Sequence, residues 1–144
     1  TLSLHDALPI WLKARDREGR HDHLAIISQV QSLVQDVRWQ DLFSSKAKAE
    51  IPIAAVVGET VITGRIDRLL VDEHYVRIVD FKTSRRVPKD VAGVNLSELR
   101  QMAHYVAAVE RIFPGRKVSA ALLYTHAPLM MELPLEVLAP HKPV

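Results

Sequence analysis

The stretch from Ala49 to Ser84 limits the possible folds more than any other part of the chain. It is rich in Val, Ile and Thr, which suit a pleated and half-buried surface, and it is broken at Gly58-Glu59 and at Glu73-His74. This pattern predicts three strands joined by two tight hairpins. Gly58 leads the first turn, as a type II′ loop prefers, whereas the second lacks a favoured turn pair. Pro52 cannot donate to a ladder, which predicts that the first strand is an edge.

Two-residue loops at these turns would set the register. Glu50 then falls opposite Asp67, and Asp67 opposite Asp80, so that three carboxylates form one row. Side chains alternate along a strand, which puts Lys82 on the face of Asp80 together with Val76 and Ile78. Carboxylates directly opposite each other repel, and charges ending an apolar stripe are costly when unpaired. A divalent cation would reconcile them. An all-oxygen donor set suits Mg²⁺ or Mn²⁺, whose remaining ligands would come from water and phosphate oxygens. Lys82 would then orient the attacking water or offset charge in the transition state. The same residues also fit plain surface ion pairs, Asp67 with Arg68 and Asp80 with Lys82.

The flanking sequence predicts helices. After Asp22, a plausible N-cap, apolar residues recur at Ile27, Val30, Val34 and Val37, and Trp39, Leu42 and Phe43 read as a further turn against the core. A second helix is predicted from Asn95, where Asn95 and Glu98 resemble a capping box. Leu99, Met102, Ala103, Val106 and Phe113 form its buried stripe, and Pro114-Gly115 ends it. Strands follow at 118–124 and 130–135. The length of 144 residues fits a single domain. The absence of cysteine excludes disulfides, thiolate zinc sites and iron–sulfur clusters, and fits a reducing cytoplasm. No apolar run approaches a membrane span. A net charge of +2 identifies no partner by itself, but Arg65, Arg68, Lys82, Arg85, Arg86 and Lys89 crowd into one stretch where a phosphate backbone could lie. A solvated charged face is the plainer alternative. Residues 1–10 look extraneous, because SLHDALPI resembles translated sequencing-adapter read-through. They are excluded from fold reasoning, and His5 takes no role.

The strings GRIDRL at 64–69, IVDFKTSR at 78–85 and QMAHY at 101–105 resemble the motifs of RecB-family nucleases, which have the PD-(D/E)XK fold. AEIP at 49–52 and FPGRKVSAALLYT at 113–125 resemble more narrowly the C-terminal nuclease domain of AddA-type helicase-nuclease subunits. The resemblance spans residues 34–134. It implies an α/β, restriction-endonuclease-like fold in which helices flank a mixed central sheet. It also implies Mg²⁺-dependent hydrolysis of DNA by an exonuclease acting in double-strand break repair and recombination, in the bacterial cytoplasm and with an AddB-like partner subunit. Asp67 and Asp80 match the metal-binding aspartates, Lys82 the catalytic lysine, Phe81 a carbonyl ligand and Glu50 a supporting acid. Gln101 and Tyr105 match the motif bordering the DNA path, alongside Arg65, Arg85 and Arg86. Two features depart from the pattern. The family's upstream histidine ligand has no match in His5, His21 or His23, as though residues 11–144 were a nuclease domain truncated on its N-terminal side. The five glycines also never take the spacing of a phosphate-binding loop, so no ATPase motor lies in this sequence. The rival expectations are a non-catalytic DNA-binding or subunit-docking module of the same fold, and a structural domain whose charges merely pair at the surface.

Overall fold

The computed structural model describes residues 4–16, Gly19 and residues 22–144. The chain divides into two compact units, Thr1–Gln40 and Asp41–Val144.

The first unit is a pair of helices, α1 (Leu4–Arg15) and α2 (His23–Gln35). Residues 4–10, excluded from the sequence-based fold reasoning, form the first part of α1, with Pro9 inside the helix. The expected cap of α2 is present: the Asp22 carboxylate accepts from Ala25 N–H at 3.1 Å and satisfies one of the orphan amides of the first turn. His23 bonds through Nε2 to the Asp16 carboxylate at 2.8 Å. His21 lies outside the described residues. Beyond α2, the Trp39 indole donates to the Leu33 carbonyl at 2.7 Å, and a 3-10 segment covers Val37–Phe43.

The second unit is a five-stranded mixed sheet in the order β1-β2-β3-β4-β5. Its strands are β1 (Ala47–Val57), β2 (Thr60–Val71), β3 (Tyr75–Lys82), β4 (Lys117–Tyr124) and β5 (Leu129–Leu133). Both hairpins have the predicted register, with Val57 opposite Thr60 and Val71 opposite Val76. Gly58 takes φ 57°, and no positive φ occurs at Glu59, as a II′-like loop requires. The second turn manages without a favoured residue pair because Asp72 supplies the missing structure. Its carboxylate accepts from the His74 and Tyr75 amides at 2.8 and 2.7 Å, which also holds its pKa below the usual carboxylate value. As Pro52 foretold, β1 is an edge.

Strands β3 and β4 are parallel, so the chain must cross over between them, and helix α3 (Leu96–Ile112) makes that connection. Helix α3 lies against β1 to β4. Met102 and Val106 on the helix and Ile66, Ile78 and Leu122 on the strands are fully buried. Each such side chain contributes about 1.5–3 kcal/mol by leaving water. Short helix α4 (Leu135–Leu138) adds Leu138 to the same core. No helix among the described residues is long and apolar enough to cross a membrane.

The capping box at the start of α3 does not form. Asn95 makes no side-chain cap bond, and the Glu98 carboxylate accepts from the Tyr124 hydroxyl at 3.2 Å instead. The box requires Glu98 to turn back along its own helix. A buried phenol on β4 offers the same carboxylate a partner that would otherwise go unsatisfied.

Candidate active site

The candidate site residues gather where β2 and β3 part. Their ladder ends at the pair Arg68 and Val79, although both strands continue. Past that point the amide of Phe81 donates not to a strand carbonyl but to Asp67 Oδ2, at 2.7 Å. A side chain therefore replaces a ladder bond. In an extended strand the carbonyl of a residue points to the same side as its N–H, so the Phe81 carbonyl faces the same gap.

A break in burial accompanies the parting. Ile62 and Ile66 are buried at even positions of β2, but Leu69 is buried at an odd one. The strand shifts its inward face by one residue at Asp67. Opposite lies Glu50, whose φ of 54° is left-handed and costs a non-glycine residue about 1–2 kcal/mol. The register is the same on both sides, with Ala49 opposite Arg68 and Ile51 opposite Ile66, so no residue is inserted and the backbone turns locally at Glu50. Because of this turn, the predicted row of three carboxylates is not formed. Glu50 is exposed, and its carboxylate accepts from Arg65 at 3.4 Å. Register placed Glu50 correctly along the strand, but alternation could not foresee that its backbone would turn.

Asp80 and Lys82 share a face as expected. Lys82 Nζ lies 2.7 Å from Asp80 Oδ2, and Asp80 is only 4% exposed. Burial raises the Asp80 pKa above its ordinary value. Lys82 opposes this through a hydrogen bond and its charge, while Asp67 and Glu98 add to the increase through theirs. Three carboxylates thus act around one ammonium. The second acceptor of Lys82 is Gln101 Oε1 at 2.8 Å, reached from α3. Gln101 Nε2 donates to the Tyr105 hydroxyl at 3.3 Å, and that hydroxyl donates to the Arg65 carbonyl at 3.0 Å. An open groove lined by Thr63, Gln101 and His104 runs beside them.

The basic residues differ in exposure. Arg85 and Arg86 are exposed directly after β3, as is Lys89. Arg65 is exposed on β2. Arg68 instead lies over the Phe43 ring, 5.4 Å from its centroid, where Phe43 also meets Phe81.

Glu98 and Tyr124 are the residues that sequence reasoning missed. Tyr124 stands beside Lys82 in the parallel register of β3 and β4, so its hydroxyl reaches the same helix face. The available signal was the spacing of Glu98, Gln101 and Tyr105, which a helix brings onto one side. Burial, together with the charge and hydrogen bond of Glu98, pushes the Tyr124 pKa up to about 12. The neutral phenol is therefore favoured in the folded state. Its contribution to stability is complete below the unfolded value of 10.0 and is lost as pH rises through about 12. Glu98→Gln should lower the Tyr124 pKa while leaving it above 10.0, because burial is the larger cause. Ultraviolet titration of phenolate, with Tyr124→Phe as the blank, measures this. An unchanged titration would remove Glu98 from the site.

Asp80 and Asp67 each engage one oxygen with the protein and retain a second. These oxygens and the Phe81 carbonyl are hard donors of the kind that a divalent cation completed by water and phosphate takes, and they are the residues that could hold one. Among the described residues no three His, Cys, Asp or Glu side chains come together to hold a metal. A magnesium-type site anchored by one or two carboxylates needs no such group.

A family model described as the PD-(D/E)XK nuclease superfamily matches residues 4–136. No curated protein matches. Among solved structures, a "putative exonuclease" from Eubacterium rectale superposes with TM-score 0.58 at 13% identity, covering 95% of this chain. The match spans 57% of that protein's length. The protein SSO0001 superposes with TM-score 0.44 at 17% identity, covering 92% of this chain and 66% of its own.

Proposed function

Since the chain belongs to the PD-(D/E)XK nuclease superfamily, we propose that it is a metal-dependent deoxyribonuclease domain in which Asp67, Asp80 and the Phe81 carbonyl hold Mg²⁺ or Mn²⁺ and Lys82 is the catalytic cation. The observation that carries this reading is the contact of Lys82 Nζ with the buried Asp80 carboxylate, at 2.7 Å, beside the strand gap spanned by Asp67. A buried carboxylate with raised pKa, held by one lysine and repelled by two further acids, is poorly stabilised by the protein alone. Bound there, the cation would polarise the scissile phosphate, promote ionisation of a water and offset charge on the leaving oxygen.

The chain's own residues supply the rest. Lys82 has three donors, of which Asp80 and Gln101 take two, and the third is available to a phosphate oxygen or to the attacking water. Arg85 and Arg86, with Lys89 nearby, continue from the end of β3 and would meet the phosphates flanking the scissile one. Arg65 offers a further contact across the gap. Glu50, held by Arg65, would act as a supporting acid at the margin rather than as a ligand. Gln101 and Tyr105 would border the DNA path beside the groove.

The motif resemblance carries the reading further, to the exonuclease domain of an AddA-like helicase-nuclease that works with an AddB-like subunit in double-strand break repair and recombination. Incubating the protein with end-labelled single-stranded and duplex DNA tests the enzymatic part. Shortening from the ends is expected with Mg²⁺ or Mn²⁺, none with a chelator, and none for Asp67→Asn. Binding without cleavage under all conditions would reject it in favour of a DNA-binding or docking module.

A further inference from the structure

We propose that Gln101 and Tyr105 are positioning residues that aim the Lys82 ammonium, and that they do so as one directional hydrogen-bond chain anchored on the backbone of β2. This deepens the nuclease reading and rests on it.

The direction of the chain follows from its end. The Arg65 carbonyl can only accept, so the Tyr105 hydroxyl at 3.0 Å must donate its single proton there. The phenol oxygen is then left to accept, which turns the amino group of Gln101 toward it at 3.3 Å. The opposite end of that amide is its oxygen, and Lys82 Nζ lies 2.8 Å away. A flipped amide would place two donors against the ammonium and an acceptor against a phenol with no proton to spare. Polarity therefore selects one orientation.

Gly64 fixes the anchor. A Cβ at this position would come within 2.6 Å of the Tyr105 ring and 2.9 Å of its hydroxyl oxygen. The ring lies directly on the β2 backbone, and Tyr105 is only 7% exposed. These contacts lie beyond the last β2–β3 ladder pair, Arg68 with Val79. Between Arg65 on one strand and Lys82 on the other, the chain of side-chain bonds provides a connection where the ladder has ended. It couples the strand carrying Asp67 to the lysine of the strand carrying Asp80. The Tyr105 hydroxyl proton is committed inside the protein, and Gln101 commits its oxygen and one of its two N–H donors there.

Steady-state cleavage of single-stranded DNA with Mg²⁺ tests this. Gln101→Met and Tyr105→Phe should each lower turnover about 10- to 100-fold, as removal of a supporting partner does, with KM changed by no more than about twofold. The double variant should be no slower than Gln101→Met alone, because Tyr105 acts only through Gln101. In the metal-free protein, Lys82 should react faster with an amine-acylating reagent in both single variants, as mapped by mass spectrometry. Raised KM with unchanged turnover would show that the pair grips DNA and would overturn the inference. Losses that multiply in the double variant would do so too. Wild type and Lys82→Met are the controls: a wild type that does not cleave defeats the nuclease reading, a Lys82→Met variant as active as the wild type defeats the catalytic role of Lys82 and the positioning role with it, and an inactive Lys82→Met beside fully active Gln101→Met and Tyr105→Phe defeats the positioning role alone.

Discussion

Asp80→Asn should abolish cleavage and leave the metal-free protein at least as stable as the wild type. Cleavage should fall by about 10³-fold or more, the scale on which catalytic electrostatics operate. Stability should not fall with it, because the Asp80 pKa is raised. Burial and the charges of Asp67 and Glu98 outweigh the help of Lys82, so the folded state favours the neutral carboxyl. The sign follows from linkage. A carboxyl whose folded pKa lies above its unfolded value contributes most below the unfolded value of 3.8, and that contribution is lost as pH rises through the folded value. At neutral pH the wild type therefore bears the cost of an ionised, buried group, and asparagine removes it at nearly constant volume. Thermal melts in chelator should show equal or higher midpoints for Asp80→Asn at pH 7, converging with the wild type toward pH 4. Added Mg²⁺ should then stabilise the wild type only, by about 2.7 kcal/mol at a hundredfold excess over Kd. A variant that melts well below the wild type in chelator would show that Lys82 compensates Asp80 fully, and that the site is a plain ion pair.

The opposite result is expected for the other member of the pair. Lys82→Met keeps the aliphatic stem but leaves Asp80 without its cation, in a pocket that already feels Asp67 and Glu98. Removing one partner of a buried pair typically costs about 3–5 kcal/mol. The Lys82 side chain is 16% exposed, so the lower part of that range applies. The loss should be greatest at neutral pH, shrink as Asp80 becomes protonated, and be partly reversed by Mn²⁺, since the variant site is more negative. Cleavage should be lost as well. Chemical denaturation across pH, with and without Mn²⁺, measures all of this. An unchanged midpoint at pH 7 would mean that Lys82 holds no buried charge in check. One ion pair thus yields two opposite stability effects, because an excess of acid surrounds a single base.

The chain placed its strands by itself. Gly58-Glu59 and Glu73-His74 stand where turns must be, and two-residue loops convert turn positions into register, so the pairing of β1 with β2 and of β2 with β3 was calculable from residue numbers. Helix α3 was equally legible, because its buried stripe recurs at helical spacing and Pro114-Gly115 ends it. Two-residue alternation likewise brought Lys82 to Asp80. What local rules could not supply were the departures from regularity. The left-handed turn at Glu50, the shift of the inward face at Asp67 and the early end of the β2–β3 ladder arise together, and no local propensity encodes them. Glu98 was read as a cap because only its own helix was in view. Its actual partner, Tyr124, is brought to it by a parallel strand 26 residues away. Periodicity fixes which side of an element a residue occupies. Only the packing of α3 across the ends of β2, β3 and β4 decides which side chains meet, because burial there rewards long-range partners over local ones.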